Sequence, residues 1–210
     1  MMFDQIAADA LAGRFGCWGL STVVDENIDA PVMDRATFER LHEAAGMGSA
    51  WPIGNAGLLH VYGYLLSTVA TPYGLKRDRW LDGSLARALG LGPEAFLLET
   101  ASAAGDTVLE RVTDAVLPRL EAPHDDALLT FDSAATDGSA VFFRTTVVAS
   151  PAGAALLYGV HDGTAMRAIT AFPLADPSPD LLEALVSAPP RLRYNAATGT
   201  LAPRSPLRRR

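Results

Sequence analysis

Residues 127–172 read ALLTFDSAATDGSAVFFRTTVVASPAGAALLYGVHDGTAMRAITAF, and this stretch does most to limit the fold. Asp137-Gly138 and Asp162-Gly163 are dipeptides that accept positive φ at both central positions of a type I′ turn, whose twist suits the flanking strands. Residues 151–153 (PAG) supply a third break. Four strands joined by three tight turns are expected. In the second strand Val141, Phe143, Thr145 and Val147 fall on one face, and Phe142, Arg144, Thr146 and Val148 on the other. Both faces are partly apolar and rich in β-branched and aromatic residues, so helices or a partner chain must cover both. Arg144 stands out as a cation inside an otherwise uncharged strand. The expected class is α+β: an antiparallel β-meander of four to six strands, covered by helices on one or both faces.

The helices come mostly before the meander. Residues 3–13 form a short amphipathic candidate ended by Gly13, and 17–24 (CWGLSTVV) read as a strand followed by an acidic loop with Asp25, Glu26, Asn27 and Asp29. Asp34 is placed to cap a helix through Ala45. A glycine-rich loop (46–57) follows, and Asn55 can cap a helix over roughly 56–70 that is apolar nearly all round and therefore central. Residues 71–83 are a charged loop. Ser84 caps a short helix to Leu89, Pro93 opens another running to Ala104, and Asp106 starts a third that Pro118 stops. After the meander, Ser178-Pro179-Asp180 starts a helix over 179–187, and 191–195 (RLRYN) return as an edge strand. No repeat or low-complexity block marks a boundary, so one domain is expected over 1–200, with a basic tail at 201–210.

A hydrophobic content of 49% with 20% charged residues is that of a folded globular chain. The net charge of −7 lacks the footprint of a nucleic-acid or anionic-membrane binder. Cys17 is the lone cysteine, which excludes an intrachain disulfide, and the four histidines are too scattered for a structural zinc site. Asp4 and Asp9 interrupt any signal-like opening, and the apolar run 51–75 contains Gly, Pro, Asn and His60, as a buried helix does. A cytoplasmic location follows as the expectation. Residues 46–51 (GMGSAW) lack the third glycine of a dinucleotide fingerprint, and no Walker loop, H-E-x-x-H, C-x-x-C or G-x-S-x-G occurs. Neither a metal nor another cofactor is expected.

Three places could carry chemistry. His60, Tyr64 and Ser67 share one stripe of a helix at i, i+4 and i+7, where buried polar groups must find partners. His60 is either a general base or a core histidine satisfied by its surroundings. The 71–83 loop holds Tyr73, Lys76, Arg77, Asp78, Arg79, Trp80 and Asp82. Its arginines either grip a carboxylate or phosphate or pair with the acidic loop at 25–29. Arg144 is either an anion clamp or a structural ion pair, and His161 is an exposed turn residue. Adjacent acids such as Asp25 and Glu26 are taken as solvated charge.

Together these give a small-molecule enzyme of biosynthesis, using acid/base chemistry on an anionic, partly apolar metabolite. Arg144, Arg77 and Arg79 hold the anion, His60 moves the proton, and Trp51, Tyr64, Ser67 and Tyr73 line the site. The alternative is a non-catalytic binding or assembly protein whose apolar helix and sheet edge contact a second copy or another chain.

Residues 80–89 (WLDGSLARAL), 141–150 (VFFRTTVVAS) and 169–174 (ITAFPL) resemble, in order, three segments of chorismate lyase-like domains. The resemblance would make Arg144 that family's carboxylate-binding arginine. Ala171, however, stands where the family's glutamate belongs, and the last two segments lie too close together, so no membership is assigned. A compact meander with ITAFP is also similar to ribonuclease-like toxins, whose RNA binding an acidic chain opposes.

Overall fold

The computed structural model describes residues 1–100, 106–122, 124–134 and 140–187. In chain order the first elements are α1 (Met2–Leu11), a 3-10 turn (Arg14–Cys17), β1 (Leu20–Thr22), β2 (Val24–Asp25), β3 (Ala30–Pro31), α2 (Arg35–Ala44) and β4 (Ile53–Asn55). A π-helix (Leu58–Gly63) runs into α3 (Tyr64–Leu66), and then come β5 (Ala70–Thr71), β6 (Gly74–Leu75), α4 (Asp78–Leu81), α5 (Ser84–Ala88) and α6 (Val108–Glu121). The long strands β7 (Ala127–Ala134), β8 (Phe142–Ser150), β9 (Gly153–His161) and β10 (Met166–Leu174) precede α7 (Pro179–Ser187).

The protein is α+β. The long strands form one antiparallel sheet in the order β10-β9-β8-β7, each paired with its neighbour in sequence. Its alternating side chains divide between two apolar clusters. Val148, Ala155, Leu157, Ala168 and Ala171 join the main core with Phe38, Leu41, Leu85 and Val112 from the helices. Phe143, Val147, Leu156, Tyr158 and Ile169 face the other way, toward Leu182 and Leu185 of α7. β10 slips register between Ala168 and Thr170, which leaves Ile169 without a partner across the ladder. Gly19 donates its N–H to the Ala168 carbonyl at 2.9 Å and ties the N-terminal segment to this edge.

Caps fall where their residue types call for them. Asp34 Oδ1 accepts from Thr37 N–H at 2.8 Å, and Asn55 Oδ1 accepts from Leu58 N–H at 3.2 Å. Other expectations need correction. The glycine-rich loop yields β4, which pairs with β1, and the charged loop folds into the β5–β6 hairpin and α4. The central helix ends at Leu66, and its middle is π rather than α. Over the described residues 93–100 no helix forms, and Arg111 takes the carbonyls of Ala95 and Leu97 at 2.7 and 2.6 Å, acceptors that a helix would use; the rest of the expected helix lies outside the described residues. Ser84 is the first residue of α5 and not its cap: Gly83 stands at the cap with positive φ, and Asp82 Oδ1 just before it accepts from Ser84 N–H at 2.7 Å. Pro118 does not stop α6, since the helix runs to Glu121 with Leu120 fully buried. At Asp162-Gly163 only the glycine has positive φ, at 92°, and the Asp162 carboxylate closes the turn by accepting from Thr164 and Ala165 N–H. The Asp137-Gly138 turn, the strand at 191–195 and the tail lie outside the described residues. Among the described residues no helix is long and apolar enough to cross a membrane.

Candidate functional site

The π-helix is the element that positions the site. A π turn inserts one residue into an α-helix, and such insertions recur at functional positions. Every residue from Leu58 to Gly63 is buried. Gly57, just before it, lies against Trp18 so closely that a Cβ would fall 2.7 Å from the indole ring. Tyr62 Oη donates to the fully buried Asp9 at 2.5 Å, fixing the helix against α1.

His60 projects from this helix to the bulge in β10, where its Nδ1 lies 2.6 Å from the Ile169 carbonyl. A carbonyl can only accept, so Nδ1 carries the proton and Nε2 presents a lone pair. The imidazole stacks on Tyr64, with ring centroids 4.7 Å apart. Burial, followed by repulsion from Arg79, lowers the His60 pKa from its ordinary 6.5 to about 3, so the ring is neutral at pH 7. Burial also pushes the Tyr64 hydroxyl up to about 12.

Two cations share the Tyr64 ring. The Arg79 guanidinium carbon is 5.3 Å from its centroid and 5.7 Å from that of Phe172, and Lys76 Nζ is 5.8 Å from Tyr64. Arg79 donates to the Ala171 carbonyl at 3.1 Å, and among the described residues no carboxylate lies within 4 Å of it. Lys76 pairs with Asp25 at 2.5 Å, with the two side chains only 15% and 4% exposed. Burial and the charge of Arg79 lower the lysine pKa despite Asp25. Burial raises the Asp25 carboxyl, but Lys76 and Asn27 outweigh it and hold the group below the usual carboxylate range.

Of the residues singled out in sequence, His60, Tyr64 and Arg79 come together here. The others lie elsewhere. Ser67 leaves the stripe and donates to the Val32 carbonyl at 2.5 Å. Trp51 meets Phe38 edge to face at 5.3 Å, Tyr73 is 83% exposed, and Arg77 has Asp78 as its carboxylate at 3.8 Å. Arg144 is spoken for: Nε and Nη2 grip Asp132 at 2.7 and 2.8 Å, while Nη1 donates to the Leu120 and Glu121 carbonyls at the end of α6. It caps that helix and offsets its dipole, so Arg144→Met is expected to cost about 1–2 kcal/mol in chemical denaturation. An anion that bound the wild type and failed to bind that variant would contradict this structural role.

Asp25, Lys76 and Phe172 complete the cluster, and sequence reasoning assigns none of them to the site. Asp25 reads as a loop charge until the fold brings Lys76 against it. A separate cleft of about 340 Å³, lined by Phe15, Gly16, Trp18, Gly19, Asn55 and Arg167 among others, contains none of the predicted site residues. Among the described residues no group of three or more His, Cys, Asp or Glu side chains is placed to hold a metal ion. No family model matches the chain, and comparison with curated proteins and with solved structures finds no match.

Proposed function

We propose that this protein binds an anionic, partly apolar small molecule at Arg79 and Tyr64, and that His60 Nε2 accepts a proton from it. One observation carries the reading. Arg79 is a half-buried guanidinium held between two aromatic rings, with a single backbone hydrogen bond and no carboxylate within 4 Å among the described residues. Inside the cluster Lys76 and Arg79 bring two positive charges, the buried Asp25 brings one negative charge, and His60 is neutral; the carboxylate of Glu26, which also acts on Lys76, is exposed to solvent. A half-buried excess of positive charge is costly, and a carboxylate or phosphate would relieve it through charge-assisted hydrogen bonds. Tyr64 and Phe172 offer apolar surface beside the anion.

Calorimetry with benzoate and phenyl phosphate against benzyl alcohol tests this reading. The anions are expected to bind more tightly, and Arg79→Met is expected to weaken them about a hundredfold, the loss of a charge-assisted bond worth ~2–3 kcal/mol. Equal binding of anions and the alcohol, or an unchanged Arg79→Met variant, would overturn it. The weak basicity of His60 favours a second reading, since a general base works best with a pKa near the working pH. On that reading the site binds its ligand without converting it, and His60 only accepts a hydrogen bond.

A further inference from the structure

Lys76 is the only lysine in the chain, and it does not sit where a lysine normally does. It follows β6, its side chain is 15% exposed, and its Nζ lies over Tyr64 and 2.5 Å from Asp25 Oδ2. Arg79 occupies the same ring, and the charge of Asp25 acts on it as well. An amine drawn out of water beside a second cation loses part of the advantage of being charged, and this is how lysines that attack carbonyls are prepared. Burial and Arg79 both act on Lys76 in that direction.

We propose that Lys76 is the nucleophilic amine of this site and forms a Schiff base with the carbonyl carbon of a 2-oxo carboxylate, whose carboxylate lies on Arg79. This inference rests on the anion-binding reading above. Asp25 first takes a proton from the Lys76 ammonium. The freed Nζ lone pair attacks the carbonyl carbon, the C–O π electrons move to oxygen, and that oxygen receives the proton held by Asp25. Asp25 takes a second proton from the now cationic nitrogen, which leaves the carbinolamine, and passes it to the departing hydroxyl. The C–O bond breaks, water leaves, and the nitrogen lone pair closes the C=N bond. Ammonium and carbonyl have become a protonated imine and water, with no change of oxidation state. Asp25 is the catalytic partner in this step because its carboxylate already touches the nitrogen.

The test is reductive trapping. The full chain is incubated with pyruvate and cyanoborohydride at neutral pH, then peptide-mapped by mass spectrometry, with acetone as the uncharged counterpart. As Lys76 is the sole lysine, the other primary amine is the α-amino group of Met1, which reports background labelling. The expected result is a Lys76 adduct with pyruvate that exceeds the one on Met1. It should be lost in Lys76→Arg, which keeps the charge beside Asp25, and reduced at least severalfold in Arg79→Met. Labelling of Lys76 by acetone and pyruvate alike, unaltered in Arg79→Met, would support the amine and remove the anion reading. Pyruvate that binds by calorimetry yet labels Lys76 no more than Met1 would overturn the Schiff base and leave the anion reading standing. Absence of both binding and labelling would overturn the two together.

Discussion

Asp9→Ala is expected to cost roughly 3–5 kcal/mol of folding stability, the range for removing one partner from a buried charged network. The Asp9 side chain is fully buried and is the meeting point of four segments. It accepts from Tyr62 Oη of the π-helix at 2.5 Å, from Thr107 Oγ1 at the start of α6 at 2.5 Å, and from Arg14 at 3.1 Å. Arg14 reaches on to Glu110 at 2.6 Å. Thr107 uses the same hydroxyl twice, donating to Asp9 and accepting from Glu110 N–H at 3.1 Å as the cap of α6. Without the carboxylate, two buried hydroxyls lose their acceptor, and each such loss costs about 1–3 kcal/mol. Arg14 keeps only Glu110 as its carboxylate partner. Urea denaturation is the measurement, with the midpoint falling and the slope unchanged. A loss below about 1 kcal/mol would mean that the network is dispensable to the seating of the π-helix.

That network shows where reading from sequence stops. Asp9 looks like a polar interruption near the start of the chain, because its partners Tyr62 and Thr107 are far away in sequence and carry no local signal. The sheet was legible for the opposite reason. Alternation in residues 141–148 and breaks at Pro151 and Gly163 are local, and a pleated strand turns local alternation directly into two faces. The Asp34 and Asn55 caps were legible too, since capping uses a side chain and an N–H only three residues apart.

The stripe of His60 and Tyr64 follows from spacing alone, and Arg79 from the loop after it lies over the Tyr64 ring. The bulge that frees the Ile169 carbonyl had no marker, for residues 168–172 contain neither glycine nor proline. For Arg144 the sequence leaves a clamp and a structural ion pair both open, because the helix end that uses it arrives only when α6 continues past Pro118. Asp25 reads as solvated because a loop carboxylate looks the same whether or not a distant lysine meets it. The missed elements all depend on tertiary pairings that no window of residues contains.

Acidification from pH 7 to pH 5 is expected to destabilise the protein, with His60 as the largest single cause. Folding holds this imidazole near pKa 3, against an ordinary 6.5. Between those values the unfolded chain binds a proton that the folded chain refuses, so stability rises with pH across the window and is lost as pH falls through it. The limiting slope is about 1.4 kcal/mol per pH unit. Descending from pH 6.5 to 5 should therefore remove ~1–2 kcal/mol from this group alone. His42, also buried and pushed down, adds to the same trend. Asp25 and Asp34 act lower: their carboxyls are held below the ordinary range, so the stability they supply is present above about pH 4 and lost beneath it. The window from 6.5 to 5 thus isolates the histidines. Urea titrations across it should show a clearly shallower pH slope for His60→Gln than for the wild type, and equal slopes would mean that His60 takes up its proton in the folded state. Since Arg79 is the second cause of the depression after burial, a bound anion that neutralises Arg79 should raise the His60 pKa. Ligand binding would then be accompanied by a shallower pH slope, which ties the stability profile of the chain to the occupancy of its site.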